Sequence, residues 1–320
     1  MTMLHAIVPV LLWLGLLLLL GGATAKIVRY ARMPMHVRWE LYPIPHEGAR
    51  AAHGGSYLEQ LDWWTRPLPH DRLAMLRAMA GEIVLLRGVR EHNPRLWFWS
   101  LPFHLGCYLM AASSLLLAVG GVAETLGGFR LAQSGGFGAA LHWTTRCLEW
   151  EGPLLALIGT IGLLARRLGD RALRAYTSPA ALLNLVFLIG VLGVGLAARR
   201  HADPTAALLR ARVGEILTLR AGAPAPALVD LELCLFALFV GYLPFTFMSH
   251  AYMKFFTWHS VRWDDRPRRP GEPTDPRLDT ALRRPVGWRA PHIGGGGGRT
   301  WGDVVGDDGG QAPRDPEAPS

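Results

Sequence analysis

Three cysteines in 320 residues, Cys107, Cys147 and Cys234, stand far apart, and no C-x-x-C occurs. That excludes a disulfide-stapled secreted domain and leaves no thiolate set for an iron–sulfur or structural zinc site. Isolated cysteines in apolar surroundings read as small buried hydrophobes. Charge is scarce too. Asp, Glu, Lys and Arg make up 18% of the chain, against roughly a quarter in soluble proteins. The scarcity is concentrated: Met1 to Ala25, Leu96 to Ala123, Ala175 to Ala198 and Leu233 to Met253 hold none of the four. Uncharged apolar runs of about twenty residues cross the hydrocarbon core as helices, so a soluble enzyme is excluded.

A fifth span is predicted over about Leu141 to Ala165. Its second half is apolar, but Arg146, Glu149 and Glu151 occupy the first half and must face protein, water or headgroups. The expected fold is therefore all-α, a polytopic bundle of five transmembrane helices, over residues 1–257. The formal charge of +8 points to loop asymmetry in a bilayer protein rather than to nucleic acid. The connections on one side of the five spans hold 26 of the Lys and Arg residues, and those on the other hold seven, five of them between Arg199 and Arg220. The basic side is expected to be cytoplasmic, which puts the amino terminus outside and the carboxyl terminus inside. Lys26, Arg29 and Arg32 follow the first span directly while no Lys or Arg precedes it. That is the polarity of an uncleaved anchor, although Ala23-Thr24-Ala25 resembles a cleavage site.

The cytoplasmic connection, residues 26–95, opens with the Pro- and aromatic-rich run Trp39 to Glu47, expected to be extended. An amphipathic helix is predicted over about 72–90, with Leu73, Leu76, Ala80, Ile83 and Val84 on one face, to lie on the inner leaflet or dock a soluble partner. The tail, residues 258–320, is rich in Pro, Gly, Asp and Arg and expected to be disordered. Its glycine run, Gly294 to Gly298, follows no strand, and no G-x-G-x-x-G opens a helix behind one, so nicotinamide and flavin fingerprints are lacking.

Two intramembrane histidines carry the chemistry. His104 sits in Phe103-His104-Leu105-Gly106, early in an inward-to-outward span. His250 sits in Pro244-Phe245-Thr246-Phe247-Met248-Ser249-His250, near the inner end of an outward-to-inward one. Both imidazoles are expected at similar depth in the cytoplasmic half, an arrangement that suits one b-type haem between two helices. Gly106 would leave room for the flat macrocycle, and Lys254, His259 and Arg262 could hold its propionates. The alternative is that each histidine is a hydrogen-bonded packing residue. His142, beside Trp143, reads as an interface anchor, or as a partner of His5 or His201 around a second haem.

On these residues the chain resembles the gamma subunit of respiratory nitrate reductases and its relatives in heterodisulfide-reductase-like menaquinol complexes. The resemblance covers roughly residues 1–260 and rests on Phe-His-x-Gly and on Pro-Phe followed five residues later by His; Trp39 to Glu47 is similar to a stretch in the menaquinol-complex relatives and turns the resemblance toward those rather than the nitrate reductases. It implies a five-span cytochrome b of a bacterial inner membrane with His104 and His250 as the cytoplasm-proximal haem ligands. The family's second, outer haem would take its ligands ten residues after the first histidine and eighteen before the last. Those positions are Ser114 and Glu232, neither of which binds haem iron, so one haem is expected.

A haem with two protein ligands has no open coordination site, which leaves electron transfer. The partners implied are menaquinol or ubiquinol in the lipid bilayer and a cytoplasmic iron–sulfur or molybdenum subunit. Glu149, Glu151 and Glu232 are candidate acceptors of quinol protons, or else they pair with Arg146 or lie among headgroups. The competing reading is a haem-free anchor or assembly subunit that recruits a cytoplasmic partner. A transporter is disfavoured because five spans cannot form two equal repeats.

Overall fold

The computed structural model describes residues 3–33, 36–37, 45, 47, 56–67, 71–257, 263–264, 271, 275–287 and 298–306. Five helices are long and apolar enough to cross a membrane. They are α1 (Met3–Ala31), α4 (Pro94–Gly127), α5 (Gly136–Gly169), α7 (Pro179–His201) and α9 (Ala227–Tyr242), the last continued by a 3-10 turn to Phe245. Short helices fill the connections: α2 (Arg72–Val84), α3 (Arg87–His92), α6 (Arg171–Ala175), α8 (Ala207–Leu217) and α10 (His250–Met253).

The chain divides into two compact units, Met1–Ala23 with Met79–Ser249, and Thr24–Ala78 with His250–Ser320. In the first, α4 packs along α5, α5 along α7 and α7 along α9. Small residues allow this, because lipid supplies no hydrophobic drive between helices and close backbone approach must hold them. A Cβ on Gly106 would lie 2.6 Å from the carbonyl oxygen of Gly152, and one on Gly159 would lie 2.6 Å from Phe103 Cβ. Gly106 is therefore spent on the α4–α5 contact, and the expectation that it makes room for a macrocycle is corrected. Between α7 and α9, the Tyr242 hydroxyl donates to Asn184 Oδ1 at 3.0 Å.

No element was expected where α8 lies. Its residues Leu209, Val213 and Leu217 recur every fourth position, an apolar helix face in a segment otherwise marked by arginines. It packs along α4, where a Cβ on Gly121 would lie 2.8 Å from Gly214 N. On its other flank it meets α1: Trp13 Nε1 donates to the Ile216 carbonyl at 3.2 Å, and Arg212 donates to the His5 carbonyl at 2.8 Å. Asp203 fixes the start of α8 by accepting from Ala207 N and Leu209 N at 3.0 and 2.8 Å.

Two expectations are corrected in detail. The helix predicted over 72–90 is broken into α2 and α3 by Leu86, which is left-handed at φ 50° and ψ 48°. Glu82 then receives Gly88 N at 2.9 Å, capping the second piece. Leu73, Leu76 and Val84 of the predicted face are exposed. The last span ends earlier than its apolar run. Pro244 has no N–H to continue the helix, and 3-10 turns at Leu243–Phe245 and Phe247–Ser249 follow. His250 thus opens α10, beyond the span instead of within it.

In the second unit, His36–Val37 pairs in parallel with Trp263–Asp264. The expected disordered tail contains helices Asp275–Leu282 and Trp301–Val305, the latter closed by a reciprocal capping box between Thr300 and Asp303. Residues 39–44 and 46 of the Pro- and aromatic-rich run lie outside the described residues, as do His259 and Arg262.

Candidate functional site: a carboxylate-lined cavity inside the bundle

The first unit holds a half-open cavity of about 220 Å³ whose wall takes residues from all five spans and from α8. Its floor and sides are apolar, including Leu12 and Leu16 of α1, Met110 and Leu117 of α4, and the Leu209–Val213–Leu217 face of α8. Four polar side chains reach it: Ser113, Ser114, Glu149 and Glu232. A dry cavity of about 150 Å³ holds benzene, so this one has room for one substituted aromatic ring. An apolar cavity with a few convergent polar groups is the usual form of a small-molecule site.

The two acids are held differently. Glu232 is ion-paired to Arg199, whose other guanidinium nitrogen lies 3.4 Å from Asp203 Oδ2. Arg199 and Asp203 are both buried. Glu149, 8% exposed, meets the Ser113 hydroxyl, whose oxygen lies 2.5 Å from Glu149 Oε1 and 3.1 Å from the Met110 carbonyl oxygen. Arg146, the cation expected as a partner, instead lies 4.8 Å over the Trp143 ring. Glu151 is exposed. Of the three acids singled out from sequence, the fold brings Glu149 and Glu232 to one cavity and leaves Glu151 apart.

Ser114 and Glu232, the positions where the resemblance would place ligands of an outer haem, line the same cavity. The resemblance paired these two residues, and both line the cavity, Ser114 from α4 and Glu232 from α9.

Two further buried networks flank the cavity, and sequence reasoning missed both. Arg210, 1% exposed, donates to Glu124 Oε1 at 3.0 Å and to His142 Nδ1 at 3.2 Å. Glu124 also receives Leu131 N at 2.8 Å. Arg212 lies 3.5 Å from Asp230 Oδ1, and His5 Nδ1 lies 3.1 Å from Asp230 Oδ2. A guanidinium can only donate, so His142 accepts at Nδ1 and carries its proton on Nε2. His142 and His5 are therefore committed to separate networks, while His201 is exposed. The signal for all this was present: Arg199, Arg210 and Arg212 are spaced on helices with apolar neighbours, but loop-charge counting treated them as surface residues.

His104 is half-buried on α4, and its Nδ1 lies 2.7 Å from the Ser100 carbonyl oxygen. A carbonyl only accepts, so Nδ1 is the donor and the imidazole lone pair is on Nε2. A carbonyl partner of this kind fixes the tautomer of metal-bound histidines, and His104 fits a haem ligand in that respect. Met110, on the cavity wall, is six residues further along the same helix, a rise of about 9 Å at 1.5 Å per residue. His250 is exposed and belongs to the other unit. Lys254, one turn later, donates its backbone N–H to the His250 carbonyl at 3.0 Å. No family model matches the chain, and neither does any curated protein or solved structure.

Proposed function

We propose that this chain is the membrane cytochrome b subunit of a quinol-linked oxidoreductase. It carries electrons between the quinone pool of a bacterial inner membrane and a cytoplasmic iron–sulfur or molybdenum subunit. The observation that carries the reading is the cavity: an apolar chamber sized for one aromatic ring, furnished with two carboxyl groups, about 9 Å along α4 from His104. A quinone head group requires such a chamber, with groups that exchange protons at its oxygens.

One haem b is expected, and His104 and His250 would hold its iron. The pairing rests on the sequence motifs, and the Nδ1 contact to Ser100 supports the His104 half. Bound haem would supply a one-electron relay. The protein's own part is to hold the His104 proton on Nδ1 and its lone pair on Nε2, to keep the head group among apolar walls, and to offer Glu149 and Glu232 at its polar edge. With the amino terminus outside, the α8 end of the bundle faces outward, and protons released in the cavity leave on that side.

The exposed His250, beyond the end of its span, favours a second reading: a haem-free anchor that recruits a cytoplasmic partner. A reduced-minus-oxidised spectrum of the purified protein decides between them. The haem reading expects one unsplit b-type α-band, lost in His104→Ala and in His250→Ala and kept in His142→Ala. Absence of the band from the native protein refutes it.

A further inference from the structure

Count the charges in the three buried networks. Arg210, with the exposed Arg130, faces Glu124, and Arg212 faces Asp230 and the half-buried Glu215, so no acid there lacks a cation beside it. The cavity network differs: Arg199 alone stands against Asp203, Glu232 and Glu149. Asp203 is compensated a second time by the amino-terminal N–H groups of α8, and Glu232 is in direct contact with Arg199. Glu149 is the surplus acid. An unpaired carboxylate in an apolar interior costs far more than its neutral form.

The Ser113 hydroxyl points the same way. It has one proton and two acceptor-type neighbours, Glu149 Oε1 at 2.5 Å and the Met110 carbonyl at 3.1 Å. A carboxylate at Glu149 would compete with Met110 for that proton. A carboxylic acid resolves the conflict: with no ligand Glu149 donates from Oε1 to Ser113, which donates to Met110, and with a ligand in the cavity Oε2 donates to it while Ser113 donates to Oε1.

We propose that Glu149 rests un-ionised and is the hydrogen-bond donor of the cavity, recognising a carbonyl oxygen of an aromatic head group of the quinone class. The assignment rests on the cavity as the ligand site and is independent of haem. Head groups of the same size without an acceptor oxygen would be discriminated against. The charged and titratable groups facing Glu149 are Arg199 and Asp203 from the α7 end and Glu232 from α9. The wall residues contributed by α1 and α8 are all apolar.

The test measures equilibrium binding of a short-chain naphthoquinone to the full chain in lipid nanodiscs, with infrared spectra of the same samples. Glu149→Leu should weaken binding about tenfold, the upper end for one neutral hydrogen bond. Glu149→Gln, whose amide still donates, should stay within about threefold of native by the same scale. Native binding should weaken as pH rises through the titration of Glu149, and the Gln variant should lose that dependence. The native protein should show the C=O stretch of a neutral carboxyl, shifted in D2O, moved by the quinone and absent from Glu149→Gln. Native-like, pH-dependent binding by Glu149→Leu, or survival of the band in Glu149→Gln, overturns the assignment. Gly195→Leu fills the cavity beside Glu232, whereas Gly190→Leu adds its side chain where nothing lies within 4 Å of a Cβ. If neither changes binding, the cavity is not the quinone site, and the proposed function fails separately from the role of Glu149.

Discussion

Arg210 tests whether α8 is clamped by buried charge. Its side chain is 1% exposed, with its aliphatic part against Gly120 and its guanidinium on Glu124 and His142. Arg210→Met keeps most of the volume and removes the cation, leaving Glu124 as a buried anion. Breaking a buried pair from one side costs about 3–5 kcal/mol. The lower end is expected here, because Arg130 lies 3.9 Å from the other Glu124 oxygen, although it is 60% exposed and well screened. A loss of about 3 kcal/mol is a large share of a typical stability of 5–15 kcal/mol. Glu124→Gln in the Arg210→Met background removes the orphan charge, while the Gln carbonyl still accepts from Leu131 N. The double variant should therefore recover most of the loss, giving a coupling free energy of roughly 2 kcal/mol in a double-mutant cycle. Reversible unfolding in mixed micelles, followed by circular dichroism, measures all four proteins. A coupling below about 0.5 kcal/mol, the scatter of independent sites, would refute the clamp.

Gly106→Val should separate α4 from α5, since the added Cβ meets Gly152 and Ala156 backbone that cannot yield; a loss of about 1–3 kcal/mol is expected from overpacking, with Gly190→Val as the unaffected comparison in the same unfolding assay. Ala206 is left-handed at φ 57° before α8, so Ala206→Gly should raise stability by up to about 1 kcal/mol. At the surface, the hydrogen bond from Arg87 Nε at 2.7 Å holds the Glu91 carboxyl below its ordinary value. Its support of α3 should be complete above the ordinary glutamate range and fade as pH falls through the lowered value, read as faster amide exchange at Asn93. Glu91→Gln should abolish that pH dependence.

The five spans were legible because apolar length is a strong signal. Where α9 ends was not, because hydropathy continues through Phe245, Phe247 and Met248 while Pro244 stops the helix ladder. Glu149 and Glu232 were marked as intramembrane acids, yet nothing in their spacing shows that Glu149 meets a serine and Glu232 an arginine. That depends on how α4 and α7 are rotated about their axes, which for α4 is set by glycine contacts with α5 and α8. Gly106 shows the same limit: next but one to His104 in sequence, it points to the neighbouring helix rather than toward the histidine's surroundings.

The cavity follows from how the bundle is closed. On the α5 side, Gly106, Gly152 and Gly159 let backbones touch and leave no space. On the other side α8 is wedged between α4 and α1, held by Arg210 and Arg212 at carboxylates of α4 and α9. An eleven-residue helix is about 16 Å long, so the wedge occupies only part of the bundle's height, and its Leu209–Val213–Leu217 face forms a wall rather than a filling. The ion pairs that hold the wedge also change the charge arithmetic of sidedness. Arg199, Arg210 and Arg212 are buried, which leaves Arg130, Arg146, Arg200 and Arg220 to oppose the basic residues of the other side. Three of the seven arginines counted as loop residues are thus spent inside the bundle on carboxylates of α4 and α9.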